Sequence, residues 1–346
     1  MRKYGATIYA TICSLALAAG FLLAFGSAWK QGISEAIVCI VCLLAGGIVA
    51  PILHETGHIV FARCANMRIV YVKCFCFQWR LFDGKLRFAL AKPFAPDETQ
   101  VIPKSGGNMQ KRVRAYTLGG LVFGFVFLIV CAVVAVLFRL YGLLPYPAYL
   151  LLLNVAPFEY PVGKTDMLVY VGLKKNYSAE QNMLVAMEIQ GRVYAGESYA
   201  EIEESAYASP QLAEDEPLFA VMTDLRYRYY VEKGDIEKAA EQLNRLAMAQ
   251  EYLPETEAER IAAELVYVHS LLGDFERAVA CGKLCETYLQ ADNASAKRIL
   301  AAYSCAFGKE EAVEPLKALA EKALEKEWIE GNKKFERVLL SRISAV

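Results

Sequence analysis

The sequence predicts an α-helical polytopic membrane protein with about four transmembrane helices, a cytosolic β-hairpin insertion and a C-terminal all-α, solenoid-like domain. First, the 346-residue chain is 56% hydrophobic and its mean hydropathy is +0.27, which is too apolar for an ordinary soluble enzyme. Second, the long apolar segments are confined to residues 1–175. Third, this part carries 18 basic and 7 acidic residues, whereas residues 176–346 carry 19 and 31. The near-neutral total therefore hides two domains of opposite charge.

Four segments are long and apolar enough to cross a bilayer, at about 6–28, 34–62, 115–140 and 147–173. The first could instead be a cleaved signal peptide, although its length favours a retained span. The loop 63–114 carries eleven basic residues against three acidic ones, and Lys174 and Lys175 close the last segment. By the positive-inside rule, this loop and both termini lie in the cytosol of a multi-pass cell-membrane protein.

The loop 63–114 contains a predicted β-hairpin. Residues 69–79 and 85–91 are rich in β-branched and aromatic side chains, and they flank Asp83-Gly84, a strong two-residue turn signal. The hairpin would lie directly below the second span. It is either a surface appendage or an edge that captures a peptide as an added strand.

The acidic region 176–346 shows helical periodicity and a repeated motif. Residues 234–239 and 273–278 match closely, and weaker echoes begin at Gly196 and Gly308. Successive repeat glycines lie 38, 39 and 35 residues apart, which predicts paired helices stacked in a short solenoid resembling tetratricopeptide repeats. A plain helical bundle is the alternative. A protein partner is expected on this domain, and no nucleic-acid partner is expected.

The stretch His54-Glu55-Thr56-Gly57-His58 lies at the end of the second apolar segment. In a helix, His54 and His58 are one turn apart on the same face, so both imidazoles can reach one metal ion beside Glu55. Zinc held by two imidazoles and one further ligand keeps an open position, and a neighbouring carboxylate can transfer a proton there. The motif therefore predicts one catalytic Zn²⁺ ion.

The third ligand is expected to be a carboxylate, because the only other histidine, His269, lies in the predicted solenoid. His54 is nine residues from Arg63 and Asp166 is eight residues from Lys174. At 1.5 Å per residue, both lie roughly 12 Å below the cytosolic boundary. The two other acidic residues in the spans lie at different depths: Glu35 and Glu159. Three helix-breaking residues precede Asp166: Pro157, Pro161 and Gly163. Irregular backbone at membrane depth is tolerated where it lines a buried or wet cavity, so this interruption is expected to be part of the site.

These features resemble the site-2 protease family of intramembrane zinc metalloproteases over roughly residues 34–173. The motifs that carry the resemblance are His54-Glu-Thr-Gly-His58, the stretch from Lys111-Arg112 to Gly119-Gly120, and Asn154-Val-Ala-Pro157 through Asp166. The resemblance implies a metalloendopeptidase acting on single-span membrane proteins or peptides within the lipid bilayer. It implies that Glu55 is the catalytic carboxylate, that Asn154 lies near the bound peptide, and that the zinc ligands are His54, His58 and Asp166.

The chain departs from the family pattern in three places, one of which is an insertion of residues 161–165 before Asp166. Met167 follows the aspartate where the family commonly has glycine, and Gly119-Gly120 stands where the family usually has Gly-Pro. Two roles stay open, since Asn154 could instead make a helix-packing hydrogen bond, and Lys164 could reach either the surface or the site.

Two other functions fit parts of the sequence. One is a noncatalytic membrane adaptor whose helical domain recruits a partner, although retention of Glu55 beside an open metal position argues against it. The other is a different membrane zincin, such as a protease of prenylated peptides, with Glu98 as its third ligand. Loss of zinc on changing Asp166, but not Glu98, would separate that enzyme from an intramembrane protease.

Overall fold

The structure is a computed structural model that describes residues 2–91, 97–104, 107–160, 163–208, 214, 217–249 and 253–343. Within these residues the chain is mostly helical, with fourteen α-helices and a small antiparallel sheet. It forms two compact units, Met1–Glu180 and Gln181–Val346. The division lies five residues after the boundary expected from charge.

The first unit contains three helices that are long and apolar enough to cross a membrane: α1 (Arg2–Trp29), α2 (Ile33–Cys64) and α3 (Met109–Phe138). They correspond to the first three predicted spans. Many of their large apolar side chains are exposed, including Leu23 at 76% and Leu137 at 69%. Such surfaces are expected on helices that face lipid.

The insertion after α2 forms a four-stranded antiparallel sheet in the order β3-β2-β1-β4. Its strands are β1 (Met67–Cys74), β2 (Phe77–Phe82), β3 (Lys85–Leu90) and β4 (Glu98–Pro103). Asp83 and Gly84 join β2 to β3 with φ values of 51° and 68°, so the predicted hairpin turn is confirmed.

The prediction of one strand over 69–79 is wrong. The chain reverses at Phe75, whose φ is 55°. The Phe75 N–H donates to Asp97 Oδ1 at 2.7 Å, a contact that stabilises the reversal and lies 22 residues away in sequence. The insertion therefore has two hairpin turns rather than one, and β4, which lies outside the predicted strands, completes the sheet.

The prediction that the fourth span is a single helix is also wrong. Residues 147–173 are divided between α4 (Pro145–Val155) and α5 (Asp166–Lys175), with β5 (Glu159–Tyr160) and β6 (Gly163–Lys164) paired between them. At 1.5 Å per residue, neither helix reaches the roughly 30 Å of a hydrocarbon core. Pro157 follows α4, and Gly163 takes a φ of 136°, so the backbone cannot continue as a helix. Pro161 lies outside the described residues.

The remaining helices continue from the end of the first unit. They are α6 (Ser178–Ala195), α7 (Pro217–Lys233), α8 (Ile236–Met248), α9 (Glu255–Leu272), α10 (Phe275–Gly282), α11 (Glu286–Leu289), α12 (Ala294–Ala306), α13 (Glu310–Leu324) and α14 (Glu330–Ser341). Gly234 and Gly273 take left-handed φ values of 90° and 71°, ending α7 and α9. The next residues, Asp235 and Asp274, cap α8 and α10. The repeated motif therefore encodes a helix-turn-helix joint, and the solenoid stays a prediction.

Candidate metal centre

Three residues of α2 are buried in the first unit, with 8%, 7% and 4% of the residue surface exposed: His54, Glu55 and His58. They are buried because α2 and α3 approach each other very closely. A Cβ atom built on Gly57 would collide with the backbone of Gly119, and one built on Gly119 would collide with Gly57. These glycines allow the two helices to touch beside the imidazoles.

Three potential ligand atoms converge at this place. The Nε2 atoms of His54 and His58 are 3.2 Å apart, and Asp166 Oδ2 lies 3.1 Å from the first and 3.3 Å from the second. Zinc–ligand bonds of 2.0–2.1 Å in a tetrahedron place the ligand atoms about 3.3 Å apart. The triangle therefore has the size that a tetrahedral zinc ion requires.

The hydrogen bonding around the triangle also suits a cation. His58 Nδ1 lies 3.0 Å from the carbonyl oxygen of Tyr116, which can only accept, so Nδ1 carries the proton and Nε2 presents its lone pair. Asp166 Oδ2 is buried, and no donor among the described residues is aligned to hydrogen-bond it. An uncompensated group of lone pairs would be unfavourable in a buried site, whereas a metal ion would satisfy them.

Glu55 is oriented by the sheet. Thr99 Oγ1, on β4, donates to Glu55 Oε2 at 2.5 Å, and the Tyr116 hydroxyl donates to the carbonyl oxygen of Thr99. A ligand atom of Glu55 and the imidazole nitrogens all lie within 4.8 Å of one another. Glu55 is therefore close enough to share a water with a metal ion held by the imidazoles.

No family model matches the chain, and no characterised protein or solved structure is significantly similar to it.

Asp166 is placed by the first turn of α5. The preceding residue, Thr165, caps this helix, since its Oγ1 accepts from the Leu168 N–H at 3.2 Å and donates to the Ala156 carbonyl at 2.7 Å. The Thr165 N–H donates to the Phe158 carbonyl at 3.1 Å. The irregular connection between α4 and α5 thus fixes the backbone immediately before Asp166.

The other residues considered from sequence lie differently. The side-chain amide of Asn154 donates to the Leu150 carbonyl at 3.1 Å, a bond within α4, so its place near a bound peptide stays a prediction. Glu98 is exposed on β4 beside Thr99. Because neighbouring strand residues point to opposite faces, Glu98 points away from Glu55. It does not join the cluster, whereas Asp166 does.

The sequence predicts no role at the site for three residues that lie there, although Gly120 belongs to a motif that carries the family resemblance: Thr99, Tyr116 and Gly120. A Cβ built on Gly120 would lie 2.5 Å from His58 Nε2 and 2.6 Å from His54 Cε1. Gly120 therefore keeps space open beside both imidazoles. The β-branched residues Thr99, Val101 and Ile102 indicate a strand, but nothing local indicates that this strand reaches Glu55.

One face of the sheet extends outward from Glu55. Cross-strand partners share a face, and the register pairs Thr99 with Val72, Val72 with Trp79, and Trp79 with Phe88. We call these four residues the apolar row. Val72 is buried, whereas Phe88 is 56% exposed. The row therefore leads from the Glu55 carboxylate to an exposed apolar surface.

Proposed function

We propose that this protein is an intramembrane zinc metalloprotease that hydrolyses peptide bonds of membrane-spanning substrates. The observation that carries the proposal is the convergence of three ligand atoms, from His54, His58 and Asp166, beside the Glu55 carboxylate. Two of these ligands and the carboxylate belong to a helix that is long and apolar enough to cross a membrane. A site built only to stabilise the fold has no use for a carboxylate beside the open position.

His54, His58 and Asp166 would hold the ion. When bound, zinc makes a water molecule more acidic and polarises a carbonyl group. Glu55 then acts as general base and acid, accepting a proton from the attacking water and donating it to the departing peptide nitrogen. The hydrogen bond from Thr99 orients the Glu55 carboxylate for both transfers.

The sheet gives the substrate a place to bind. A peptide bond inside a transmembrane helix is shielded by its own hydrogen bonds, so the segment must unwind before it can be cut. β4 is an edge of the sheet, and an unwound segment can add to it as a strand and replace the lost backbone hydrogen bonds. The added strand would lie beside Thr99, and other apolar parts of the substrate can contact the exposed end of the apolar row at Phe88, on the opposite edge of the sheet.

Replacement of Glu55 by Gln tests this proposal. The purified full-length protein should keep one zinc ion per chain, because the three ligands are unchanged, but cleavage of a model single-span substrate should fall below detection. Glu35→Gln is the matched control, since Glu35 is an exposed carboxylate in the first turn of the same helix. The control should retain both zinc and cleavage.

Two other results would reject parts of the proposal. Normal cleavage by Glu55→Gln would exclude Glu55 as the proton carrier. Wild-type protein that binds zinc but cleaves no single-span substrate would favour the noncatalytic adaptor.

A further inference from the structure

A second cluster of charged residues lies close to Asp166. Lys164 Nζ and Glu180 Oε1 form an ion pair at 2.7 Å. The Glu180 side chain is 3% exposed, whereas that of Lys164 is 29% exposed. Lys164 is two residues before Asp166, and Glu180 is the last residue of the first unit. The pair decides between the two roles left open for Lys164, because its ammonium group is directed to Glu180.

Glu180 contacts both sides of the chain around Asp166. On the N-terminal side it binds Lys164 in β6. On the C-terminal side it packs against Gly172 of α5, where an added Cβ would lie 2.6 Å from the Glu180 carboxylate. Only a glycine leaves space for this approach. Glu180 therefore fixes the hairpin before Asp166 and the helix after it relative to each other.

This contact matters because the described part of the hairpin is short and largely exposed, so Glu180 adds to the anchoring by Thr165. Strands β5 and β6 contain two residues each, and Glu159, Gly163 and Lys164 are exposed. A buried carboxylate without its cation is strongly unfavourable, so the Lys164–Glu180 pair resists displacement of the hairpin. Any displacement would be passed through Thr165 to Asp166.

We propose that Lys164 and Glu180 are a positioning pair that holds the Asp166 carboxylate against the two imidazoles. This inference rests on the proposed zinc site. Residues that orient metal ligands typically change metal affinity by about 10–100-fold when they are mutated. We therefore expect the pair to set the affinity for zinc without touching the ion or the substrate.

The experiment measures the zinc dissociation constant of the detergent-purified full-length protein by competition with a chelator, with no substrate present. Lys164→Gln and Glu180→Gln should each weaken zinc binding about tenfold. The double variant should be no weaker than either single variant, because both break the same pair. Lys164→Arg keeps the charge and should bind zinc nearly as tightly as the wild type. Excess zinc should restore cleavage to the single variants.

A control separates positioning from general destabilisation. Lys334→Gln breaks the exposed Lys334–Glu201 pair of the helical unit and should leave zinc affinity unchanged. Unchanged zinc affinity in both single variants, or additive losses in the double variant, would overturn the inference.

His54→Ala separates this inference from the proposed function. If the wild type binds zinc and His54→Ala does not, normal binding by the pair variants refutes only the positioning role. If His54→Ala binds zinc as well as the wild type, both the zinc site and the positioning pair are wrong.

Discussion

Replacement of Gly120 by Ala offers the sharpest test of the proposed metal centre. The new methyl carbon would lie 2.5 Å from His58 Nε2 and 2.7 Å from His54 Nε2. Real Cβ atoms do not approach other heavy atoms closer than 3.0 Å, so the His58 ring must retreat by at least 0.5 Å. Metal sites tolerate deviations of only about 0.2 Å in ligand distance. The substitution should therefore weaken zinc binding by at least about 100-fold.

The helix itself should tolerate this change. Alanine is favoured over glycine inside a helix by about 1 kcal/mol, so loss of zinc could not be attributed to weakened α3. Gly124→Ala is the matched control, since Gly124 lies one turn later on α3 and its Cβ would meet Leu151 Cδ1 at an ordinary 3.6 Å. Both substitutions have the same effect on helix propensity, but only one is made beside the imidazoles.

Zinc per chain would be measured in the purified variants by elemental analysis, and affinity by chelator competition. Cleavage of a single-span substrate would be followed in parallel. We expect Gly124→Ala to match the wild type and Gly120→Ala to lose both zinc and cleavage. Normal zinc affinity in Gly120→Ala would refute the placement of the two imidazole nitrogens next to α3.

Three further predictions concern the support of the site, the sheet surface and the helical unit. Thr99→Val removes the hydrogen bond to Glu55 and should lower kcat about tenfold with zinc retained, whereas Thr56→Val, which removes a bond within α2, should not. Phe88→Ser should raise KM for a single-span substrate and leave zinc content unchanged, and an unaltered KM would contradict substrate binding on the apolar row. Burial opposes ionisation of Asp224, but two arginines outweigh it and lower its pKa to about 2. This carboxylate therefore stabilises the fold above about pH 4, and its contribution is lost as the pH falls towards 2. The stability of Asp224→Asn should therefore depend less on pH between about pH 4 and pH 2 than that of the wild type, as measured by acid unfolding followed by circular dichroism.

Short-range patterns in the sequence determined the local features of this protein. The spacing of His54 and His58 placed both imidazoles on one helix face, because an α-helix repeats every 3.6 residues. Asp83-Gly84 encoded a hairpin turn, and Gly234 and Gly273 encoded helix ends. Each of these features depends on a few neighbouring residues, so it can be identified without knowing the rest of the fold.

Long-range packing determined the features that local patterns do not encode. Counting residues gave the depth of Asp166 but not the direction of its carboxylate, which depends on the hairpin between α4 and α5. The reversal at Phe75 likewise depends on Asp97, which is distant in sequence.

The support of the Glu55 carboxylate is the clearest case. Thr99 reaches Glu55 only because β4 pairs with β1 in one particular register. Gly120 matters only because α3 crosses α2 beside the imidazoles. Residues far apart in sequence acquire these roles through contacts that no local periodicity encodes, and only the tertiary structure brings them together.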